Sequence, residues 1–432
     1  MSDLNANPIA FVRTEQLPEM DPPAGETGPI KWVRENLFSN VFNSVMTILA
    51  IYIIVRLVLG VIPWFANGVW TASDIRECRV LIGDTGGGCF AVLSERWQQL
   101  LFGFQYPSDQ YWRPSVAFVL LFAAAAPVLF NHLPRKLLIF TAIYPFLAFW
   151  LIWGGTVLIP ITAALGFIVG YFAFSWTERQ YSLAAGAVAG LVGAVLTWWI
   201  TGFVTDAMEN FLALEAVASR DMGGYMLNMI LGTVCVSLSL PIGILLALGR
   251  QSHLPIIKWI CVVFIEFVRG VPLITLLFVA NVVLAYFFPP GTALDLILRV
   301  IIMITMFSSA YIAEVIRGGL AALPRGQYEA ADSLGLDYAQ SMRLIILPQA
   351  LKISIPGIVN VAVGLFKDTT LVSVISMFDL VGMIRGPILS STDWAGVYWE
   401  LWAFAASLFF VVCYGISQYS QWLERKLQTG HR

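Results

Sequence analysis

Residues Tyr328 to Gln349 read YEAADSLGLDYAQSMRLIILPQ, and this stretch decides the fold. Pro324 stands just before it, and Gln327 to Leu334 is a run of good helix formers behind a proline suited to a helix start. Gly335 comes next, the residue that most readily takes the left-handed backbone that ends a helix. Asp337 with Gln340 three residues later has the spacing of a capping box, which starts a second helix. Pro348 has no N–H to donate and is expected to interrupt that second helix. A helix, a break and a helix are thus predicted within roughly thirty residues, longer than an ordinary connector. Such a loop is expected to dock something.

Apolar runs flank the loop at 297–318 and 352–374. Eight more lie at 41–62, 115–131, 137–153, 157–175, 182–202, 225–249, 259–288 and 398–420. Each is of a length to cross the hydrocarbon core as a helix. Composition agrees, with 58% of 432 residues hydrophobic and 12% charged, against roughly a quarter charged in soluble domains. The expected fold class is an all-α integral membrane protein. Pro127, Pro145 and Pro160 fall in the second to fourth runs, where they are expected to bend helices or mark re-entrant segments. A formal net charge of −2 and the lack of a long Lys/Arg run argue against nucleic acid as a partner.

Residues 1–35 are expected to be a disordered cytoplasmic tail, because Pro8, Pro18, Pro22, Pro23 and Pro29 sit there among acids and small polar groups. No charged region leads directly into a short apolar stretch and cleavage site, so the run at 41–62 is expected to stay as a span. With the N-terminus inside, ten spans place fifteen Lys and Arg in the cytoplasm and six outside. Both termini are therefore expected in the cytoplasm. Trp64, Trp112, Trp150, Trp153, Trp198, Trp199 and Trp399 fall near outer span ends as interfacial anchors. The outer loop 63–114 holds Cys78 and Cys89 around Gly83, Gly86, Gly87 and Gly88, and a disulfide is expected if that side is oxidising. No His or further Cys accompanies the pair, which argues against a metal site.

The spacing Glu329-Ala330-Ala331, Gly335, Ile345, Leu347, Pro348 resembles the coupling-loop signature of permeases in binding-protein-dependent ABC importers. Flanking segments narrow the resemblance to polar amino-acid importers: Leu240-Pro241-Ile242-Gly243, Glu266 through Pro272, Ala310 through Gly319, and Lys367-Asp368-Thr369-Thr370-Leu371. It covers roughly 220–425. The preceding region, 36–219, is similar to the extra part of the larger subunits of general L-amino-acid and glutamate/glutamine/aspartate/asparagine permeases. The resemblance implies a type I ABC importer transmembrane domain of about five core helices, preceded by about five additional helices. It implies a coupling loop, 319–351, docked on a separate ATPase dimer, and a periplasmic amino-acid-binding protein. That ATPase has two docking clefts and this chain one coupling loop, so a second permease subunit is expected, making a heterodimer.

No Gly-x4-Gly-Lys-Ser/Thr phosphate loop is present. The chain is thus expected to be a transporter subunit and not an enzyme, binding no cofactor, with ATP used by the partner ATPase. Ionisable residues inside spans are costly and tend to face a pathway or one another. Glu266, Arg269, Glu314, Lys367 and Asp368 are therefore candidates for a substrate path, with an ion-pair network as the competing role for the first three. Arg269 precedes Gly270 and Pro272, a pair expected to break the helix there. The alternative function is an ion-coupled secondary amino-acid transporter, which would show inverted repeats that are not visible here. A membrane enzyme is disfavoured, since His132, His253 and His431 are scattered and no nucleophile or metal-ligand pattern appears.

Overall fold

A computed structural model describes residues 28–130, 132–283, 286 and 294–428. Residues 1–27 of the expected tail lie outside them. The described residues divide into two compact units, one within 1–68 and 82–88 and the other within 69–81 and 89–432.

The first unit holds α1 (Gly28–Asn36) and α2 (Val41–Ala66). The helix α1 corrects the disordered assignment for residues 28–35, and Lys31 and Glu35 pair along it at 3.8 Å. Asn40 caps α2 by accepting from the Asn43 N–H at 2.8 Å. None of the 26 residues of α2 is buried.

In the second unit, α3 (Ile75–Ile82) and α4 (Ala91–Phe102) precede two helical hairpins. The first is α5 (Trp112–Leu129) with α6 (Leu138–Trp153), the second α7 (Leu158–Gln180) with α8 (Leu183–Ala207). Pro127 and Pro145 lie inside continuous helices and Pro160 sits in the first turn of α7, so none of the three breaks a span. The α7–α8 pair packs closely through small residues: a Cβ on Gly170 would stand 2.8 Å from the Gly190 carbonyl, and one on Gly190 3.0 Å from that of Gly170. Arg113, fully buried, joins the first hairpin to the chain beyond α8, donating to the Leu151 carbonyl at 2.7 Å and the Glu215 carbonyl at 2.8 Å.

The core begins with α9 (Gly224–Gln251), then α10 (Pro255–Gly270) and α11 (Leu273–Phe278). It continues with α12 (Leu296–Ala321), α13 (Arg325–Ser333), α14 (Tyr338–Ser341), α15 (Leu347–Asp368), α16 (Leu380–Met383) and α17 (Tyr398–Gln428). Leu227, Leu231 and Cys235 on α9 meet Ile297, Val300 and Ile304 on α12 in one buried cluster. Both rows follow the helical repeat, which is how an apolar span presents one face to another.

Among the described residues nine helices are long and apolar enough to span, or ten if a bent pair counts as one. That pair is the seventh expected span, bent by 102° between Gly270 and Leu273. Pro272 lacks an N–H and its ring restricts Val271 to extended backbone, which breaks the helix at that point.

Candidate functional site: the coupling segment

The α13 helix starts directly after Pro324 and is closed by Gly335 at φ +71°. The Leu336 N–H reaches back to the Ala331 carbonyl at 3.3 Å, completing the terminating turn. Asp337 then caps α14: its side chain accepts from the Gln340 N–H at 2.7 Å, and the Gln340 side chain accepts from the Asp337 N–H at 3.3 Å. Contrary to expectation, Pro348 leaves the second helix uninterrupted. A five-residue π turn, Met342–Ile346, carries the chain into α15, where Pro348 occupies the first turn, so α14 and α15 form one stretch from Tyr338 to Ile375. A proline in a first turn needs no hydrogen-bond partner, and the wider turn before it is the adjustment that keeps the helix going.

One side of this segment faces the bundle. Ala331, Ile346 and Ala350 are fully buried, the last two with Ile312, Ala313 and Ile316 of α12. Gly319 on α12 lets α15 come close, since a Cβ there would stand 2.6 Å from the Ala350 carbonyl, and Gln349 ties α15 to α13 through Gln327 at 2.9 Å. The other side is open. Glu329 and Ala330 are exposed, as are Leu334, Tyr338 and Leu344. Between α13, α14 and the end of α9 lies a polar hollow of about 360 Å³ bordered by His253, Tyr328, Asp332 and Tyr338.

Next to this segment the structure gathers Glu266, Arg269 and Glu314 into one ion-pair network. Arg250 reaches Glu266 at 2.9 Å and Glu314 at 3.3 Å, Arg269 reaches Glu314 at 3.4 Å and Glu266 at 4.0 Å, and Arg317 also pairs with Glu314. Arg250 and Arg317 were not among the candidates, because their positions at span ends read as ordinary cytoplasmic cations. Lys367 and Asp368 are elsewhere. Phe366, beside them, packs on Gly232 of α9, where a Cβ would stand 2.5 Å from its ring. Arg250 lies eighteen residues farther along that helix, about 27 Å at its rise per residue. The two groups of charges therefore do not face one another.

The chain matches the family described as binding-protein-dependent transport system inner membrane component over residues 239–429. It is 51% identical over 431 residues, 98% of this chain and 99% of the relative, to the glutamate/glutamine/aspartate/asparagine transport system permease protein BztC of Rhodobacter capsulatus. The chain belongs to the amino-acid ABC transporter permeases. It is 38% identical, over 92% of its length and 93% of the relative's, to the inner membrane amino-acid ABC transporter permease protein YhdY of Escherichia coli. A crystal structure of an amino acid ABC transporter with histidines is 32% identical over 47% of this chain and 92% of that one, with a TM-score of 0.42. In this permease, a subunit of an ATP-driven amino-acid importer, residues 319–351 thus lie inside the matched domain.

Cys78 and Cys89 are joined by a disulfide, their Cα atoms 6.0 Å apart. The Cys89 N–H donates to Glu400 at 2.9 Å, linking this loop of the permease to α17. The core also holds a cluster that the sequence did not single out. Asn228 on α9, fully buried, donates to Thr369 at 2.9 Å and to Asp379 at 3.1 Å and accepts from the Leu380 N–H at 3.1 Å. Asp379, also fully buried, caps α16 and lies in no spanning helix. Burial pushes its carboxyl up to about 6, against the pull of the hydrogen bonds from Gly382 and Asn228. The only local signal was an amide inside an apolar run and an Asp at a cap position.

Proposed function

We propose that this permease is one of two unlike membrane subunits in an importer of glutamate, glutamine, aspartate and asparagine. Its termini lie in the cytoplasm and residues 319–351 dock on a separate ATPase dimer, which uses the ATP. What carries the proposal is the coupling segment: a nine-residue helix stopped at Gly335, exposed along Glu329, Leu334 and Tyr338, and continuous through a π turn with a span. A push on α13 and α14 reaches α15 because Ile346 and Ala350 are packed against α12. Closure of the ATPase pair favours one arrangement of the spans over the other, and only that differential interaction drives the change.

A periplasmic binding protein supplies the amino acid and a second permease subunit the other coupling loop. The substrate class is taken from the name of the Rhodobacter relative. Lys367 and Asp368 belong to the proposed substrate path. Glu266, Arg269 and Glu314 each meet an ion-pair partner, which favours a tie between α9, α10 and α12 over contact with the amino acid.

The test is reconstitution of the permease with its ATPase and second subunit in proteoliposomes, with uptake of each labelled amino acid then measured. ATP-dependent uptake of the four is expected. Uptake by the permease alone under an ion gradient would instead favour secondary transport.

A further inference from the structure

A hollow of about 830 Å³ lies between α6 and α7 of the permease, lined by apolar side chains such as Ile143, Phe146, Trp150, Ile168 and Phe172. Its origin is in the hairpins. On one side α6 is committed to α5, through Tyr144 to the Ala117 carbonyl at 2.9 Å and Thr141 to the Ala124 carbonyl at 2.7 Å. On the other, α7 is committed to α8 by its glycines. The two are joined by a short turn, where Gly154 and Gly155 take φ of +75° and +79° and Gly155 exchanges backbone hydrogen bonds with Leu214 at 2.9 and 3.1 Å, and Phe146 meets Phe167 edge to face across the gap, ring centroids 6.1 Å apart.

The cleft has a polar end and a depth. Arg135 and Lys136 immediately precede α6, and Arg179 sits in the last turn of α7, so all three stand at the end of the two helices away from that turn. No carboxylate lies within ion-pair distance of any of them among the described residues. From Ile139 to Trp150 on α6 the lining rises about 16 Å, and from Val157 to Phe172 on α7 about 22 Å, within a ~30 Å hydrocarbon core. An apolar groove with cations at one end has the polarity of a lipid. It fits acyl chains whose anionic head meets the three cations.

We infer that this cleft binds an anionic phospholipid, with its headgroup at Arg135, Lys136 and Arg179 and its chains against Phe146 and Ile168. With both termini in the cytoplasm, the lipid comes from the cytoplasmic leaflet. Occupancy wedges the α5–α6 and α7–α8 hairpins at a set separation. It gives the region ahead of the matched domain a role in lipid recognition, distinct from ATPase coupling.

The test uses the full-length permease taken into nanodiscs of equal phosphatidylglycerol and phosphatidylcholine, then released for native mass spectrometry of retained lipid. The intact chain is expected to retain phosphatidylglycerol over phosphatidylcholine. R135Q/K136Q/R179Q is expected to lose that preference, by about fivefold per charge removed. A142W/A164W, which fills the cleft, is expected to lose retained lipid of both kinds, with A142F as a milder variant should the pair fail to fold. Unchanged retention in a folded cleft-filling variant overturns the site, and an unchanged headgroup preference in the charge variant overturns the headgroup assignment. Cross-linking of I143C to another polypeptide in the membrane overturns it as well, since protein then fills the cleft.

Discussion

The two ends of the permease core are held by different forces. At the end carrying Gly224 and Asp379, backbone meets backbone: a Cβ on Gly103 would stand 2.8 Å from Gly223, and the Gly224 N–H donates to the Phe378 carbonyl at 2.7 Å. Asn228 and Asp379 are sealed from water there. At the coupling end the ties are ion pairs whose side chains are 22% to 53% exposed, beside a surface that leaves Leu334, Tyr338 and Leu344 open. Short directional contacts out of water tolerate little displacement, whereas partly exposed charges exchange partners at small cost. The first end is built as a fixed point, and the second is able to shift, as the proposed docking of residues 319–351 on an ATPase requires.

The largest effect should come from Gly224→Ala, because that residue combines φ +62° with a Cβ position 2.5 Å from the Leu100 carbonyl. A loss of about 3 kcal/mol or more is expected as a lower thermal midpoint, and an unchanged midpoint would break the comparison. Next, Cys78→Ser with Cys89→Ser should cost about 2–3 kcal/mol for an eleven-residue separation. Reductant should lower the midpoint of the intact chain but not that of the double variant.

Asp379 gives a pH test. Its native carboxyl titrates near 6, above its ordinary range, so the folded chain takes up a proton more readily than the unfolded one. Stability from this group should therefore rise as pH falls from about 6 towards 4, by about 2 kcal/mol. In Asp379→Asn, which keeps a capping acceptor, that increment should be missing from the pH series of midpoints.

At the coupling end, Gly335→Val meets open space and adds only backbone strain, about 1–2 kcal/mol. Folded yield should hold while ATP-dependent uptake per complex drops by about tenfold, so normal uptake would contradict the docking role. The smallest effect is expected from Glu314→Gln, about 1 kcal/mol after allowing for solvent exposure. The gap between variant and parent should narrow in high salt. A salt-independent gap would mean that this end is as rigid as the other.

The amino-acid order alone determined what depends on neighbours a few residues away. The membrane fold came from apolar runs, the left-handed stop at Gly335 from its missing Cβ, and the Asp337–Gln340 box from spacing. The broken seventh span came in the same way from Gly270 and Pro272. Pro348 misled because a proline's effect depends on whether the preceding turn can widen, and Met342–Ile346 does so only with Ile346 buried against α12. Tertiary structure alone decided what depends on distant partners. It sent Arg113 inward to two carbonyls, recruited Arg250 and Arg317 to Glu314, kept Lys367 and Asp368 away from Arg269, and closed Asn228 over Asp379. A lone charge in a sequence carries no mark of its counterpart. Its burial and pairing are set by which helices are packed against it.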